Sequence, residues 1–527
     1  MVHLFRFISF VVAYFVLSAG IVGAEPVPSL PDTLSISIET ALQSGTGVVV
    51  DDLATLRAFY GARLNRPAWY DARGLTADGK LAVAAIAASS DEGLDPAAYK
   101  LGNLSKPLSG TDPQMIAHRD FELTTQLLHY ASDLRSGRPN LKHLDSDVDL
   151  PRDSFDKGSV LAQALDRQNL KGFLQDLAPR SPAYASLRAA LARYRDIAAR
   201  GGWRELPVEK PYDAKSASTT SLLALQNRLA MEDAGLTMNT PPSVPDVDAA
   251  LRRFQLRNGV AGDGRVGKET LALLNTSAAS RAAQIAANME RLRWLPHELE
   301  KNYVEVNVPD ATLHLFDNGV EILSSRVIVG RPADPTPIFR AEITDIVANP
   351  PWIVPATIAR NEILPKVRRN PAYLARHDMF ISNGQVQQRP GPKNALGYLK
   401  LNVTDRFAVY LHDTPSRSLF AREQRFLSHG CIRVQQITPL ASYVLTGDIT
   451  GGVDRLLSVI ATGDTIHLPI KQPIPLYVDY FTAFPAPDGS LQFRADIYGR
   501  DSRMIAATGG EKFTQALGSI GSCRRAA

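Results

Sequence analysis

The apolar rhythm of this chain changes at Asn302, and no single layer of structure can satisfy both halves. Before it, apolar residues recur at helical spacing: Leu53, Leu56, Phe59 and Tyr60, then Leu81 to Ala88, Phe121 to Leu134, Leu161 to Leu177 and Tyr184 to Ala199. After it, Val304, Val306 and Val308 alternate with Tyr303, Glu305 and Asn307, the period of a strand with one buried face. Thr312 to Phe316 and Val320 to Val329 flank Asp317-Asn318-Gly319, a hairpin signal because Asn and Gly accept the positive φ of a tight turn. Val403 to Leu411, Thr465 to Leu468 and Leu476 to Phe481 read as further strands. The chain has 527 residues, and single cores stop growing beyond roughly 250–300, so the two patterns belong to separate domains.

The N-terminus reads as an export signal over residues 1–24. Arg6 precedes an apolar run from Phe7 to Val22, and Val22-Gly23-Ala24 places small residues at a cut after Ala24. The run of ~16 residues is shorter than the ~20 that span a bilayer, which favours cleavage over an uncleaved anchor and leaves both open. The expected location is the periplasm. Residues 25–50, rich in Pro, Ser, Thr and Gly, read as a leader. Residues 51–209 form a helical domain, and 216–277 a small three-helix module. A mostly-β region spans about 300–482, and 483–527 is a C-terminal extension and tail. Within the β region an insertion at about 352–390 carries a helix from about Ala356 to Val367 and then loop. An insertion of that length suggests a lid.

Composition removes several function classes. The net charge is +4, with no long basic block or aromatic-basic interleaving, so no nucleic-acid partner is expected. Cys431 and Cys523 are the only cysteines, which excludes a disulfide framework and a zinc site; no metal or organic cofactor is called for.

The chemistry concentrates between His412 and Val434. A strand ends at His412, a polar loop containing Pro415 follows, and Ser428-His429-Gly430-Cys431-Ile432-Arg433 closes the stretch. Folding that loop back brings the thiol beside the imidazole. His412 then serves as base for Cys431 and as acid for a leaving amine. Gly430 permits close backbone approach, N–H groups near Cys431 can hold an oxyanion, and His429 and Arg433 add positive charge. A buried small-hydrophobe role for Cys431, or a disulfide to Cys523, stays open on residues alone.

His412, fifteen residues, then Ser428-His429-Gly430-Cys431-Ile432-Arg433 resembles the signature of L,D-transpeptidase catalytic domains. Val329-Gly330-Arg331-Pro332, Asn349-Pro350-Pro351-Trp352, Pro390-Gly391-Pro392-Lys393-Asn394 and Tyr410-Leu411-His412-Asp413-Thr414-Pro415 are similar to its large subgroup. Leu56 to Tyr70, Asp91 to Tyr99, and Tyr480 to Ala483 with Leu491 to Phe493 resemble that subgroup's scaffold and extension. Leu251 to Leu271 resembles a peptidoglycan-binding module, interrupted by a proline-containing insert at Thr237 to Asp246; a docking domain that binds no sugar is the rival. The resemblance implies a multidomain α+β protein: a mostly-β L,D-transpeptidase catalytic domain, a helical scaffold domain and a peptidoglycan-binding-like module. It implies Cys431 as nucleophile, His412 as base, and the Asp413 carbonyl as its orienting group. Tyr410 and the backbone at Gly430 would line the oxyanion hole, and Ser428, His429 and Arg433 the pocket. Peptidoglycan stem peptides are the implied substrates, carbapenem-type β-lactams the implied inhibitors, and a D,D-carboxypeptidase the supplier of tetrapeptide donor. Crosslinking between third residues is the expected outcome. Hydrolysis, D-amino-acid exchange, lipoprotein attachment and a non-catalytic wall-binding scaffold are the alternatives.

Overall fold

The computed structural model of the protein describes residues 30–44, 50–71, 73–108, 110, 112–138, 144–151, 155–208 and 210–508. The signal segment 1–24 and Cys523 lie outside the described residues. Among the described residues no helix is long and apolar enough to cross a membrane.

Six helices share the first core: α1 (Leu30–Ser44), α2 (Val50–Ala62), α3 (Ala77–Ala87), α4 (Pro113–Ser136), α5 (Lys157–Asp166) and α6 (Leu170–Asp176). Helix α1 corrects the reading of residues 25–50 as a leader. Leu34, Ile38 and Leu42 recur every four residues and are buried in that core. The single helix expected over Leu161 to Leu177 is two. Gln168 takes φ 53°, and the Asn169 side chain caps α6 by accepting from Gly172 N at 3.1 Å. Helix α7 (Pro182–Ala199) leaves this core and packs with α11 (Ala278–Leu292) instead. Between them α8 (Thr219–Ala230), α9 (Val244–Arg257) and α10 (Lys268–Leu274) enclose Leu225, Leu229, Leu251 and Phe254.

Helix α11 is buried on nearly every side, and its polar residues bind the parts of the molecule together. Gln284 donates to the carbonyls of Thr482 (3.1 Å) and Arg494 (3.0 Å). Asn288 donates to Thr482 Oγ1 (2.8 Å) and accepts from Thr482 N (2.9 Å). Arg291 pairs with Asp501 at 2.5 Å, while Glu290 pairs with Arg138 and Arg293.

The β region closes on itself. After β1 (Val148–Asp149) come β2 (Tyr303–Asn307), β3 (Thr312–Asp317), β4 (Val320–Gly330) and β5 (Ile338–Ala348). Three short strands follow: β6 (Trp352–Ile353), β7 (Met379–Ser382) and β8 (Gln385–Gln388). Then come β9 (Leu399–Val403), β10 (Leu411–His412), β11 (Phe426–Ser428), β12 (Ile432–Val434) and β13 (Ile466–Asp479). The circuit runs β9-β10-β12-β4-β3-β2-β13-β5 and returns to β9, with β1 beside β5 and β11 beside β4. Its interior holds Val304, Val306, Leu313, Leu315, Ile343, Leu401, Leu411 and Ile432, covered by Leu440 and Leu456 from α12 (Ile437–Thr446) and α13 (Val453–Ala461). Asn318 and Gly319 take φ 50° and 78°, the conformation the β3–β4 turn requires.

Two strand expectations are corrected. Val403 to Leu411 is not one strand: residues 404–410 loop out, because the Asp405 carboxylate accepts from the N–H groups of Phe407 (2.6 Å) and Val409 (3.1 Å). Thr465 to Leu468 and Leu476 to Phe481 are not separate: they fall largely in β13, which continues through a register shift between Pro469 and Ile474. The 352–390 insertion is more ordered than a helix followed by loop. Helical turns from Ala356 to Arg369, with a π stretch at Ala359–Ile363, pack on β6, β7 and β8 around Val354, Ala359, Ile363 and Val386. Asn394 fastens its two ends, donating to Pro350 O (3.0 Å) and Arg389 O (2.9 Å).

Asn288→Leu leaves the buried Thr482 N–H without an acceptor and removes the amide donor to its hydroxyl, which keeps only Asp501. It should lower unfolding free energy by about 3 kcal/mol, read by urea unfolding of the whole chain.

Candidate active site

The pairing of β10 with β12 builds the site. The two strands run parallel, with Leu411 opposite Ile432 and His412 opposite Arg433. Leu411 and Ile432 are wholly buried in the barrel, so strand alternation turns Tyr410, His412, Cys431 and Arg433 to the other face. On the far side of β10, Lys400 stands opposite His412, between the core residues Leu399 and Leu401. Five chemically active side chains thus share one outward face.

Cys431 follows a tight turn. Gly430 takes φ 108°, a region that favours glycine. The Ser428 hydroxyl donates to Cys431 O (2.6 Å) and accepts from Gly430 N (3.2 Å), so it shapes the turn. That bond also occupies the Gly430 N–H. Among the described residues the Cys431 N–H has no acceptor, which makes it the free backbone donor beside the thiol. Thr336 fixes the turn from outside: its hydroxyl donates to Gly430 O (2.8 Å) and accepts from Gly330 N (2.9 Å). Thr336 is tied in turn to the C-terminal extension. Its N–H donates to the Tyr498 hydroxyl (3.3 Å), and its carbonyl accepts from Arg500 (3.2 Å).

His412 is buried, and its Nδ1 bonds to the Asp413 carbonyl at 2.6 Å. A carbonyl only accepts, so Nδ1 carries the proton and Nε2 is left as the basic nitrogen. Asp413 is held by its own side chain, which accepts from Arg417 (2.8 Å) and Tyr398 N (3.1 Å). Burial, followed by the charge of Arg433, pushes the imidazole down to about 3, so it is neutral at neutral pH.

The thiol is neutral as well. Burial pushes Cys431 up, and the Tyr410 hydrogen bonds and the Lys400 charge offset only part of that. The sequence pattern pointed to a thiol activated by surrounding positive charge; here desolvation outweighs those charges. The side chain is half-buried, with Sγ 4.0 Å from Ala408 O. Among the described residues no hydrogen bond joins it directly to His412. Burial first, then the neighbouring Cys431, raises the Tyr410 hydroxyl.

His429 turns away from the thiol. Its Nε2 meets Glu362 on the lid helix at 2.6 Å, and Glu362 also pairs with Arg331. It therefore joins the turn before Cys431 to the 352–390 insertion. Lys400 and Thr336 were not marked by sequence. Lys400 enters only through its cross-strand register with His412, and Thr336 through a loop contact distant in sequence.

Thr336→Val keeps the side-chain shape and removes both hydroxyl bonds. It should cost about 2 kcal/mol and speed alkylation of Cys431 by iodoacetamide as the turn loosens; an unchanged alkylation rate would show that the turn holds without this bond. The pH dependence has two parts. Because folding lowers the His412 value from 6.5 to about 3, its contribution to stability is full above 6.5 and lost as pH falls towards 3. His412→Gln removes that dependence, so the wild type should lose stability relative to the variant across this window. Because folding raises Cys431, its alkylation rate should rise with pH through an inflection above 9.0.

Residues 301–460 match the family model described as the L,D-transpeptidase catalytic domain, and residues 54–191 the one described as the scaffold domain. A Haemophilus influenzae protein provisionally named an L,D-transpeptidase is 33% identical over 274 residues, 47% of this chain and 55% of that one. The chain thus spans about half the length of that curated relative. A solved L,D-transpeptidase from Stackebrandtia nassauensis aligns at 16% identity over 52% of this chain and 96% of its own, with a TM-score of 0.21. L,D-transpeptidase 1 of Mycobacterium tuberculosis aligns at 13% over 34% and 61%, with a TM-score of 0.17. Scores this low add no weight. The two domain matches do: by them residues 301–460 belong to the L,D-transpeptidase catalytic-domain family, and an N-terminal scaffold domain precedes them.

Proposed function

We propose that this protein crosslinks peptidoglycan in the periplasm through a thioester on Cys431. The observation that carries the reading is the His412 Nδ1 bond to Asp413 O, which leaves Nε2 as base on the face that presents Cys431. Both groups start neutral. The Cys431 proton passes to Nε2 as sulfur attacks the carbonyl of the third residue of a tetrapeptide stem. The Cys431 N–H, with the Tyr410 hydroxyl, stabilises the oxyanion. His412 then protonates the amine of the departing D-Ala. In the second half, a side-chain amine of another stem attacks the thioester, loses its proton to Nε2 and expels the thiolate, which recovers a proton. The crosslink joins two third residues.

The half-exposed thiol supports a working nucleophile over a packing role. The lid helix, tethered to His429 through Glu362, is suited to covering the donor. A D,D-carboxypeptidase would generate the tetrapeptide. Carbapenem-type β-lactams would acylate Cys431, since ring opening supplies the same carbonyl chemistry.

Mass spectrometry of disaccharide-tetrapeptide incubated with the protein should show dimers joined through third residues and released D-Ala. Cys431→Ala should produce neither, and His412→Gln should slow both by about 10²–10⁴-fold. Monomeric tripeptide without dimer would make the protein an L,D-carboxypeptidase, and no turnover by reduced wild type would sink the enzymatic reading.

A further inference from the structure

Two cations share the outward face with Cys431, and among the described residues neither has an ion-pair partner. The Lys400 ammonium lies 4.3 Å from the centroid of the Tyr410 ring, and no hydrogen bond or ion pair engages it among the described residues. Arg433 stands beside His412, and its Nε is buried without a hydrogen-bond partner. Both charges act on their surroundings here: Lys400 on the thiol and His412, and Arg433 on His412 and Tyr410. The nearby carboxylates are committed elsewhere. Asp345 accepts from Asn402 (3.0 Å) and meets His467 (3.2 Å), Asp405 accepts from the backbone of its own loop, and Asp413 pairs with Arg417. Withdrawing a cation from water without a counter-charge is unfavourable. Two of them on one face, around a nucleophile, call for an anion that arrives with the ligand.

The donor chemistry says which anion. In a tetrapeptide stem the atoms from the attacked carbonyl carbon run C(=O)–N–Cα–COO⁻. The terminal carboxylate is three bonds away and falls within about 4 Å of the attacked carbon. A donor poised over Sγ therefore brings its carboxylate to this same face.

We propose that Lys400 and Arg433 form a carboxylate subsite that receives the free terminal carboxylate of the acyl donor. The inference rests on the transpeptidase reading and adds the specificity rule. In a pentapeptide stem the group at that position is a neutral amide, so the two cations stay unpaired and the longer stem is rejected. The subsite thus selects stems already trimmed to four residues. By microscopic reversibility, an incoming amine whose carbon bears a carboxylate occupies the same place. Free D-amino acids should then outcompete D-amino acid amides in resolving the thioester.

Calorimetry on the full-length Cys431→Ala protein tests this without turnover, using disaccharide-tetrapeptide and the same molecule with a C-terminal amide. The acid should bind about 10- to 100-fold more tightly than the amide, the loss expected when a charged hydrogen-bonded pair is broken. Adding Lys400→Met should weaken the acid alone and bring the two within about threefold, while Lys400→Arg should retain the preference; thermal melts of each variant verify the fold. Equal binding of acid and amide in the parent would overturn the subsite and leave the transpeptidase reading standing. A preference that survives both Lys400→Met and Arg433→Gln would overturn the assignment to these residues. Binding of neither ligand would overturn the donor reading, and the subsite with it.

Discussion

The parallel contact between two very short strands, Leu411–His412 and Ile432–Val434, governs the rest of the site. Side chains alternate across a strand, so burying Leu411 and Ile432 obliges His412, Cys431 and Arg433 to face outward. A slip of one residue would turn the thiol and imidazole into the barrel interior and the two aliphatics out of it. Hydrophobic burial in the barrel interior therefore sets the register of the chemistry. The hydrogen bonds among Ser428, Gly430 and Thr336 refine a position that packing has already chosen.

That position is also supported from far away in sequence. The Arg500 side chain reaches Asp145 (2.8 Å), beside the strand that the scaffold region adds to the barrel, and also the Thr336 carbonyl. Thr336 bonds to Gly430, the residue before Cys431. Asp501, next along, pairs with Arg291 of the central helix. A continuous set of polar contacts thus runs from the helical core through the C-terminal extension to the turn before Cys431. These contacts fasten α14 (Arg500–Ala507) to both the helical core and the barrel.

Local chemistry was legible in the sequence; cross-chain register was not. Asn318-Gly319 specified its hairpin because the signal lies wholly in adjacent residues. His412 and Cys431 stood out by residue type and spacing, and the structure puts them on one face. The Asp405 loop was not visible, because one carboxylate capping two N–H groups overrides a run of apolar residues that otherwise reads as strand. His429 reads as positive charge near the thiol, yet its partner Glu362 sits 67 residues earlier on a separate layer. Helix α1 was legible in principle, through Leu34, Ile38 and Leu42, but its Pro- and Ser-rich flanks hid it.

Burial gives this site a thiol that resists ionisation and an imidazole that resists protonation. A neutral thiol is a slow target for oxidants. As the proposed nucleophile it is also slow, so the proposed donor itself must supply part of the activation. The charges of Arg433 and Lys400 both depress His412. A carboxylate seated between those cations would cancel much of that field and raise the basicity of Nε2 when the carbonyl is in place. The same carboxylate would disfavour a free thiolate, so the proton must leave sulfur as the carbon–sulfur bond forms rather than beforehand. On this argument the two unpaired cations hold the base in check until a correctly trimmed stem arrives, and selection of the donor and activation of the nucleophile become one electrostatic event.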